Sequence, residues 1–417
     1  MLSNSYEKLF WLIVVFWFLL YMFLLYAQFN GNSDMSAKTE ILRYFSQAEI
    51  DSGKDYALFF FRFKAANGIL FMTILLAALK LRFFERIWVK CAENDFIFVI
   101  VFFLIIRLLS FPNSFVFGHW REVYASFTEQ SFFSWLIRYF KSFFIGITIE
   151  TLVVLAAFAV IRCFPQKWPM LLPCLLALVA FVGIFLMPLI ITPVFYNQTP
   201  LEEGALKDKL LEISKKAGIQ TDEIYVIDES RYSKHTNAYF TGIGPFKRIV
   251  LYDTLLKQHT QEEIALIFAH EAGHWKNNDM AWGLFTGFLG ALAASFLYCF
   301  LYDKIRTVEF FGLENIAAAK TLPFLFVVYF MGQLFFAPLE SQISQYMERR
   351  ADYFALKVTG LTEIYKNAQI KLAKINKSDL LPHSFRVFWL YTHPPVINRI
   401  KMADTIFQEE NKSAVRY

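Results

Sequence analysis

The sequence predicts an α-helical integral membrane protein with seven transmembrane helices and a small α/β domain formed by an insertion and the C-terminal tail. Three observations lead to this fold class. Apolar residues make up 56% of the 417 positions, and phenylalanine alone occurs 49 times, which is unlike an ordinary water-soluble domain. Several windows approach or exceed the roughly 20 apolar residues that a spanning helix needs. A more polar stretch between the fifth and sixth windows has the patterning of a soluble domain.

Seven apolar windows are long enough, or nearly so, to cross a bilayer. Four are almost free of charge, at residues 9–27, 168–196, 281–302 and 321–339; the other three are 65–79, 96–117 and 142–161. The window at 65–79 is short, so its flanking lysines would have to reach toward the headgroups. Arg107 and Glu150 lie inside apolar windows, where exposure to lipid is costly. We expect them to face each other or water, with an ion pair preferred.

These windows divide the chain into four segments. Residues 1–196 carry five transmembrane helices, residues 197–280 form the soluble insertion, residues 281–339 carry two more helices, and residues 340–417 form a polar helical tail. Because two crossings return the chain to the side from which it started, the insertion and the tail can share one site. The lysines and arginines of the short loops favour a cytoplasm-facing insertion.

The patterning of the insertion predicts an α/β domain. Residues 201–217 have amphipathic helical spacing, residues 223–228 alternate like a strand, and "NAYFTGIGPFKRIVLYDTLL" indicates two strands joined by a Gly-Pro turn. Thr260 and Glu263 have the spacing of a capping box ahead of an apolar run. The motif His270-Glu271-Ala272-Gly273-His274 is therefore expected on a helix.

This motif has the spacing of a zinc hydrolase. On a helix, His270 and His274 present their imidazoles to one ion, with Glu271 beside it. A catalytic zinc commonly takes three protein ligands and lowers the pKa of a water in the fourth position toward about 7. Glu271 could take the proton from that water as general base. At this chain's composition the motif arises by accident in roughly one sequence in a hundred, so a third ligand is decisive.

The tail offers that ligand. "QYMERRADYFAL", residues 345–356, has helical periodicity and places Glu348 and Asp352 on one face. Glu348 can complete a His2Glu set, and Asp352 can accept the outer N–H of a ligating histidine. In "YTHPPVINRIK", two prolines hold His393 on a rigid extended segment, where it can donate to the oxyanion of a tetrahedral intermediate. Taken alone, these stretches would be a solvated charged face and a structural loop.

Other functions fit the residues less well. The four cysteines show no CxxC spacing, so no disulfide framework is expected. A net charge of +5 without a basic run argues against nucleic acid and for lipid headgroups as the partner of the basic residues. One alternative is an inactive zinc-binding scaffold or chaperone in membrane-protein quality control, which the intact Glu271 disfavours. The other is a transporter or receptor with accidental histidines, which leaves Glu348 and Asp352 unexplained.

HEAGH at 270–274, ExxAD at 348–352 and HPPxxxR at 393–399 stand in this order. With "NAYFTGIGPFKRIVLYDTLL" and "PVFYNQTPLEEG", the chain resembles the integral-membrane zinc metalloproteases of the CAAX prenyl protease family. The resemblance implies one Zn²⁺ per chain on His270, His274 and Glu348, Glu271 as general base, Asp352 behind the ligands, and His393 with Arg399 near the scissile carbonyl. It further implies that Asn237, Ala238 and Tyr239 hold an extended substrate as an edge strand.

The resemblance also suggests substrates and a location. It implies hydrolysis of extended C-terminal polypeptides, CAAX-like and with or without a prenyl group, or of membrane-associated polypeptides. Eukaryotic members remove the last three residues of prenylated CAAX proteins. The chain is shorter than those members, which favours a bacterial inner membrane over the endoplasmic reticulum. Gln345, after Ser344, departs from many relatives, which carry arginine there.

Overall fold

The structure, a computed structural model, describes residues 2–30, 35–219, 223–241, 248–306 and 315–414, together with residues 308, 311 and 313. The helices that precede the sheet are α1 (Leu2–Asn30), α2 (Met35–Ile41), α3 (Gln47–Lys80), α4 (Phe83–Lys90), α5 (Asp95–Phe115), α6 (Arg121–Tyr124), α7 (Phe132–Cys163), α8 (Trp168–Leu186) and α9 (Thr192–Phe195). Single π-helical turns join α5 to α6 and α8 to α9.

A small sheet and eight further helices follow in the described part of the chain. The strands are β1 (Gln198–Pro200), β2 (Ile224–Ile227), β3 (Ala238–Thr241) and β4 (Arg248–Tyr252). The helices are α10 (Ala205–Lys216), α11 (Asp253–Gln258), α12 (Gln261–Lys276), α13 (Asp279–Ile305), α14 (Leu322–Thr359), α15 (Thr362–Ile375), α16 (Ser384–Leu390) and α17 (Val396–Ala414).

Seven helical segments of the described chain are long and apolar enough to cross a membrane. They are Ser5–Gln28, Gln47–Lys80, Asp95–Tyr124, Phe132–Cys163, Trp168–Phe195, Asp279–Tyr302 and Ala319–Thr359. Each coincides with one of the apolar windows in the sequence. The predicted architecture of seven membrane helices with a small α/β domain is therefore confirmed.

Two helices extend far beyond their apolar windows. α3 begins at Gln47, well before the window at 65–79, and its added turns carry exposed polar residues such as Asp51 and Asp55. α14 is a single helix of 38 residues that runs through the predicted boundary between residues 339 and 340. The polar tail therefore begins inside a helix, because helical hydrogen bonding continues where hydropathy falls.

The described residues divide into two compact units. The first contains the N-terminal stretch up to Tyr21 together with Lys64–Gly183 and Trp282–Phe335. Aromatic rings fill its interior: Trp17 and Phe102 are fully buried. Arg107 Nη2 donates to Glu150 Oε1 between α5 and α7. The predicted ion pair between these two residues is confirmed, and it neutralises both charges within apolar helices.

The second unit contains Met22–Phe63, Ile184–Ala281 and the chain from Phe336 onward. Its sheet has the order β1-β2-β4-β3, with β2 and β4 parallel and the two outer pairs antiparallel. The core beside the sheet contains Leu210 of α10, Ile249 of β4, Phe268 of α12 and Ala355 of α14, all fully buried. The sheet and α10 therefore support α12 from behind, and α14 closes the same core.

The predicted elements of the insertion match this unit with small differences. The helix expected at 201–217 begins at Ala205, because Leu201 is buried as part of an extended segment and Gly204 has a φ of 150°. The strands predicted in "NAYFTGIGPFKRIVLYDTLL" are β3 and β4, which pair in antiparallel fashion. The Gly-Pro turn between them lies outside the described residues. β1 is not apparent in the sequence pattern.

Candidate metal centre and active site

α12 carries the His-Glu-Ala-Gly-His motif, and its start is firmly fixed. Thr260 Oγ1 accepts from the Glu263 N–H at 3.3 Å, and Glu263 Oε2 accepts from the Thr260 N–H at 3.1 Å. The predicted capping box is therefore confirmed. Glu263 Oε2 also lies 3.0 Å from Lys371 Nζ of α15 and 3.0 Å from His259 Nδ1. These contacts tie the first turn of α12 to the helices of the tail.

Gly273 brings α12 and α14 into close contact. A Cβ at this position would lie 2.8 Å from Ala351 Cα and 3.1 Å from the Ala351 carbonyl oxygen, closer than side-chain carbons pack. A residue larger than glycine would therefore push the helices apart. Because Gly273 adjoins His274, and Ala351 lies between Glu348 and Asp352, this contact sets the distance between the two motifs.

His270, His274 and Glu348 converge at this crossing. His270 Nε2 lies 3.2 Å from Glu348 Oε2, His274 Nε2 lies 3.5 Å from Glu348 Oε1, and the two Nε2 atoms are 3.3 Å apart. One potential ligand atom from each residue lies within 4.8 Å of the other two. Two imidazole nitrogens and a carboxylate are a common ligand set for catalytic zinc.

Carboxylates hold the outer nitrogens of both histidines. His270 Nδ1 lies 2.9 Å from Asp352 Oδ1, and His274 Nδ1 lies 2.8 Å from Asp279 Oδ2. When Nδ1 carries the proton and donates to the carboxylate, Nε2 presents a lone pair to the centre. Asp279 was not identified from the sequence. It follows a turn in which Asn278 has a φ of 56°, so helical spacing gave no signal for it.

The chemistry of this cluster fits a bound cation. Glu348 Oε2 is buried and, while His270 is neutral, has no hydrogen-bond donor among the described residues. With the histidine tautomers that the outer carboxylates favour, lone pairs of nitrogen and oxygen face each other across the centre. Burial alone lowers the pKa of His270, but hydrogen bonds to Asp352 and Glu348 outweigh it and raise that pKa to about 10. The centre thus requires a positive charge, which a proton or a divalent ion such as zinc can supply.

Glu271 is half-buried; on α12 it directly follows His270 and precedes His274 by three residues. Burial raises the pKa of its carboxyl above the usual range, although the neighbouring His270 and His274 partly oppose this effect. A general base works best when its pKa lies near the operating pH. The environment of Glu271 therefore moves this carboxylate toward the basicity that a proton acceptor needs.

His393 and Arg399 contact different carboxylates at the site. His393 Nε2 is 3.3 Å from Glu348 Oε1, and its side chain is 58% exposed. Arg399 is directed at Asp352 instead, with Nε donating to Oδ2 at 2.8 Å and Nη2 to Oδ1, and it also contacts the Tyr365 hydroxyl at 3.3 Å. The sequence had placed both residues near the scissile carbonyl. The structure brings His393 to the open side and Arg399 behind Asp352.

β3 is an outer strand of the described sheet, and its side chains and main chain face different neighbours. Phe240 packs on Phe268 of α12, with ring centroids 5.3 Å apart. The Tyr252 N–H donates to Asn237 O at 3.0 Å, so the main-chain groups of Asn237 point toward β4. In an antiparallel pair every second residue points the same way, so those of Tyr239 also point toward β4. The main-chain groups of Ala238 and Phe240 face outward, although the Ala238 N–H is bonded to Asn237 Oδ1 at 2.9 Å.

Known proteins match most of the chain. The family model "Peptidase family M48" matches residues 200–406, and "CAAX prenyl protease N-terminal, five membrane helices" matches residues 32–197. The chain is 30% identical over 316 residues to the uncharacterized metalloprotease YhfN of Bacillus subtilis, covering 75% of this chain and 73% of the relative. It is 29% identical over 322 residues to CAAX prenyl protease 1 of Saccharomyces cerevisiae, covering 73% and 70%.

A solved structure shows the same fold. The crystal structure of S. mikatae Ste24p matches with a TM-score of 0.78 at 23% identity, over 94% of this chain and 97% of that one. Together with the sequence matches and the histidine-carboxylate cluster, this defines an integral-membrane metalloprotease. The chain belongs to the CAAX prenyl protease family.

Proposed function

We propose that the protein is a zinc endopeptidase in which His270, His274 and Glu348 hold one Zn²⁺ ion and Glu271 is the general base. The observation that carries this proposal is the meeting of two Nε2 atoms with a buried carboxylate oxygen that, while His270 is neutral, has no donor among the described residues. A zinc ion bound there would lower the pKa of a water toward about 7 and polarise the scissile carbonyl. Asp279 and Asp352 would keep both imidazoles in the ligating tautomer.

Glu271 and His393 would divide the proton chemistry between them. Glu271 would accept a proton from the attacking water and deliver it to the departing amine. His393 would donate from Nε2 to the oxyanion. Its Nδ1 lies 2.9 Å from Thr392 Oγ1, so a hydroxyl that donates there would leave the imidazole proton on Nε2. Burial lowers the pKa of His393, which favours a neutral imidazole as that donor.

The proposed substrates are extended polypeptides. The outward main-chain groups of β3 support pairing with an extended chain, in which backbone hydrogen bonds give affinity and side chains contribute less. Asn237, Ala238 and Tyr239 would form this binding segment together with Phe240. Since relatives are named CAAX prenyl proteases, we include CAAX-like C-terminal segments, with or without a prenyl group, beside membrane-associated polypeptides.

The proposed location is a bacterial inner membrane, with the catalytic domain facing the cytoplasm. The Bacillus relative supports the bacterial assignment, and the loop charges support the orientation. Lipid is then the surrounding partner, and no role in binding nucleic acid is proposed.

The experiment that tests the function combines metal analysis with peptide cleavage. Detergent-purified wild type should contain about one zinc per chain and cleave a quenched fluorescent peptide. Glu271→Gln should keep the metal and lose turnover, because the ligands survive and the base does not. Glu262→Gln is the matched control, on the same helix but far from the ligands, and should cleave normally. Zinc-dependent cleavage that survives in Glu271→Gln would refute the mechanism, and peptides with and without a prenyl group would rank the substrates.

A further inference from the structure

The segment that leads into His393 cannot hold its own backbone in place. α16 ends at Leu390, and the last carbonyls of a helix have no partner within it. Beyond the helix, Pro394 and Pro395 have no N–H group to donate. A proline also restricts the residue before it to extended conformations, so the direction of His393 depends on how the carbonyls upstream of it are anchored.

Side chains of α14 provide this anchor. The amide of Gln345 donates from Nε2 to Val387 O at 3.0 Å and to Tyr391 O at 2.9 Å. Ser341 Oγ lies 2.5 Å from Tyr391 O, and it accepts from Gln345 Nε2 at 3.2 Å. Gln345 is 5% exposed and Ser341 3%, so the donors of these bonds are shielded from water.

Two further bonds extend the contact along the same helix. Gln342 Nε2 donates to Phe388 O at 3.0 Å, and Ser344 Oγ donates to Thr392 O at 2.8 Å. Four backbone carbonyls between Val387 and Thr392 are thus bonded to side chains of α14 immediately before His393. We call the side chains of Ser341, Gln342, Ser344 and Gln345 the carbonyl clamp.

The carbonyl clamp and the proposed metal ligand share one face of one helix. Ser341, Gln345, Glu348 and Asp352 follow the spacing of four, three and four residues that lines up a single helical stripe. His393 Nε2, at the end of the clamped segment, lies 3.3 Å from Glu348 Oε1. The rigid backbone of α14 therefore fixes the distance between the ligand carboxylate and the imidazole.

We propose that Gln345 is a positioning residue for the reaction, which holds His393 at the open side of the metal centre by binding the carbonyls of Val387 and Tyr391. The proposal rests on the oxyanion role proposed for His393. Each hydrogen of the amide serves one carbonyl. The Ser341 hydroxyl lies 3.3 Å from Val387 O and 2.5 Å from Tyr391 O, but it has one hydrogen. A hydrophobic side chain in place of Gln345 would therefore leave one of the two carbonyls without either donor.

The direct test is Gln345→Met, which keeps length and removes both donors. Since misplacing a reacting group by about 1 Å can cost about 100-fold in rate, kcat should fall between about tenfold and 100-fold, with KM nearly unchanged. The double variant Gln345→Met with His393→Ala should be no slower than His393→Ala alone. If Gln345 acts only through His393, its loss has no further effect once His393 is absent. Gln333→Met is the matched control, since that exposed amide donates to the Tyr329 hydroxyl of its own helix at 2.7 Å, and its kcat should equal that of wild type.

Two measurements test the carbonyl clamp without depending on peptide cleavage. Amide hydrogen exchange across residues 384–393 should become faster in Gln345→Met and stay unchanged in Gln333→Met, while zinc affinity is the same in all three proteins. Unchanged exchange, or an equal loss of rate with and without His393, would overturn the proposal. If wild type cleaves nothing, the proposed reaction fails, and the exchange result alone then decides whether the carbonyl clamp exists.

Discussion

Arg399 donates two parallel hydrogen bonds to Asp352, from Nε to Oδ2 at 2.8 Å and from Nη2 to Oδ1. Asp352 is fully buried, and its Oδ1 also faces His270 Nδ1 at 2.9 Å. A two-point contact between planar groups fixes both the position and the plane of the carboxylate. The orientation of the His270 ring is therefore set through Asp352, by a guanidinium that contacts both oxygens of the same carboxylate.

Replacing Arg399 with lysine should expose this dependence. Lysine keeps the charge but offers a single point contact, so Asp352 would turn and His270 would lose its fixed orientation. We expect zinc affinity to fall by about tenfold, within the range of about 10–100-fold found for partners of metal ligands. Competition with a chelating dye measures this. Arg349→Lys, at an exposed arginine of α14, the helix that carries Asp352, is the control. Equal zinc affinities for both variants would show that Arg399 does not orient His270 through Asp352.

Metal binding should release protons. Hydrogen bonds to Asp352 and Glu348, acting against burial, raise the pKa of His270 to about 10, so this imidazole is protonated at neutral pH and must lose its proton to bind metal. A proton and the zinc ion therefore compete for the His270 imidazole. Apparent zinc affinity should rise with pH, by about tenfold per pH unit if one proton is released. Calorimetry in two buffers of different ionisation enthalpy counts the protons. A pH-independent affinity between about pH 6 and 8 would exclude this competition.

Gly273→Ala should weaken the contact between α12 and α14. The added methyl group would lie 2.8 Å from Ala351 Cα, and such overpacking costs about 1–3 kcal/mol. We expect a lower midpoint of thermal unfolding in detergent and weaker zinc binding, since the two motifs are forced apart. Gly283→Ala has no atom within 4 Å of its Cβ and serves as control. An unchanged unfolding midpoint and zinc affinity in Gly273→Ala would show that α12 and α14 can accommodate the added methyl group, and would contradict this prediction.

Methylation of substrate amides should reveal pairing with β3. In an extended chain, alternate residues face the strand edge, so N-methyl groups at every second position remove a donor to Ala238 O or Phe240 O. The loss of one hydrogen bond, worth about 1 kcal/mol, should lower kcat/KM by about fivefold at those positions, and the intervening positions should respond less. A methyl scan of one cleaved peptide gives the pattern. A uniform response along the peptide would argue against an edge-strand complex.

Hydropathy predicted the seven crossings well, since a bilayer demands a minimum apolar length. It did not predict where the helices end. The first turns of α3 and the last turns of α14 carry polar residues that continue the helix into water, where hydropathy gives no signal. β1 has only three residues and includes Pro200, which makes it too short for a pattern of alternation.

Within the candidate site, local spacing brought out the residues on helices and missed those that depend on the tertiary fold. His270 and His274 follow from a period of 3.6, as do Glu348 and Asp352. Asp279 reaches His274 only after the helix ends. Gln345 donates to main-chain carbonyls 42 and 46 residues later in the chain, and since every residue has such a carbonyl, no sequence pattern could indicate the pairing.

The continuity of α14 has a consequence for biosynthesis. His270 and Asp352 are 82 residues apart, and the apolar first half of α14 must be made before Glu348 and Asp352 leave the ribosome. At about 5–20 residues per second, roughly 4 to 16 seconds separate the synthesis of the first proposed metal ligand from that of the carboxylate that orients it. Until Glu348 is made, the nascent chain holds the two proposed histidine ligands without the third, so we expect it to have no peptidase activity while it is being inserted.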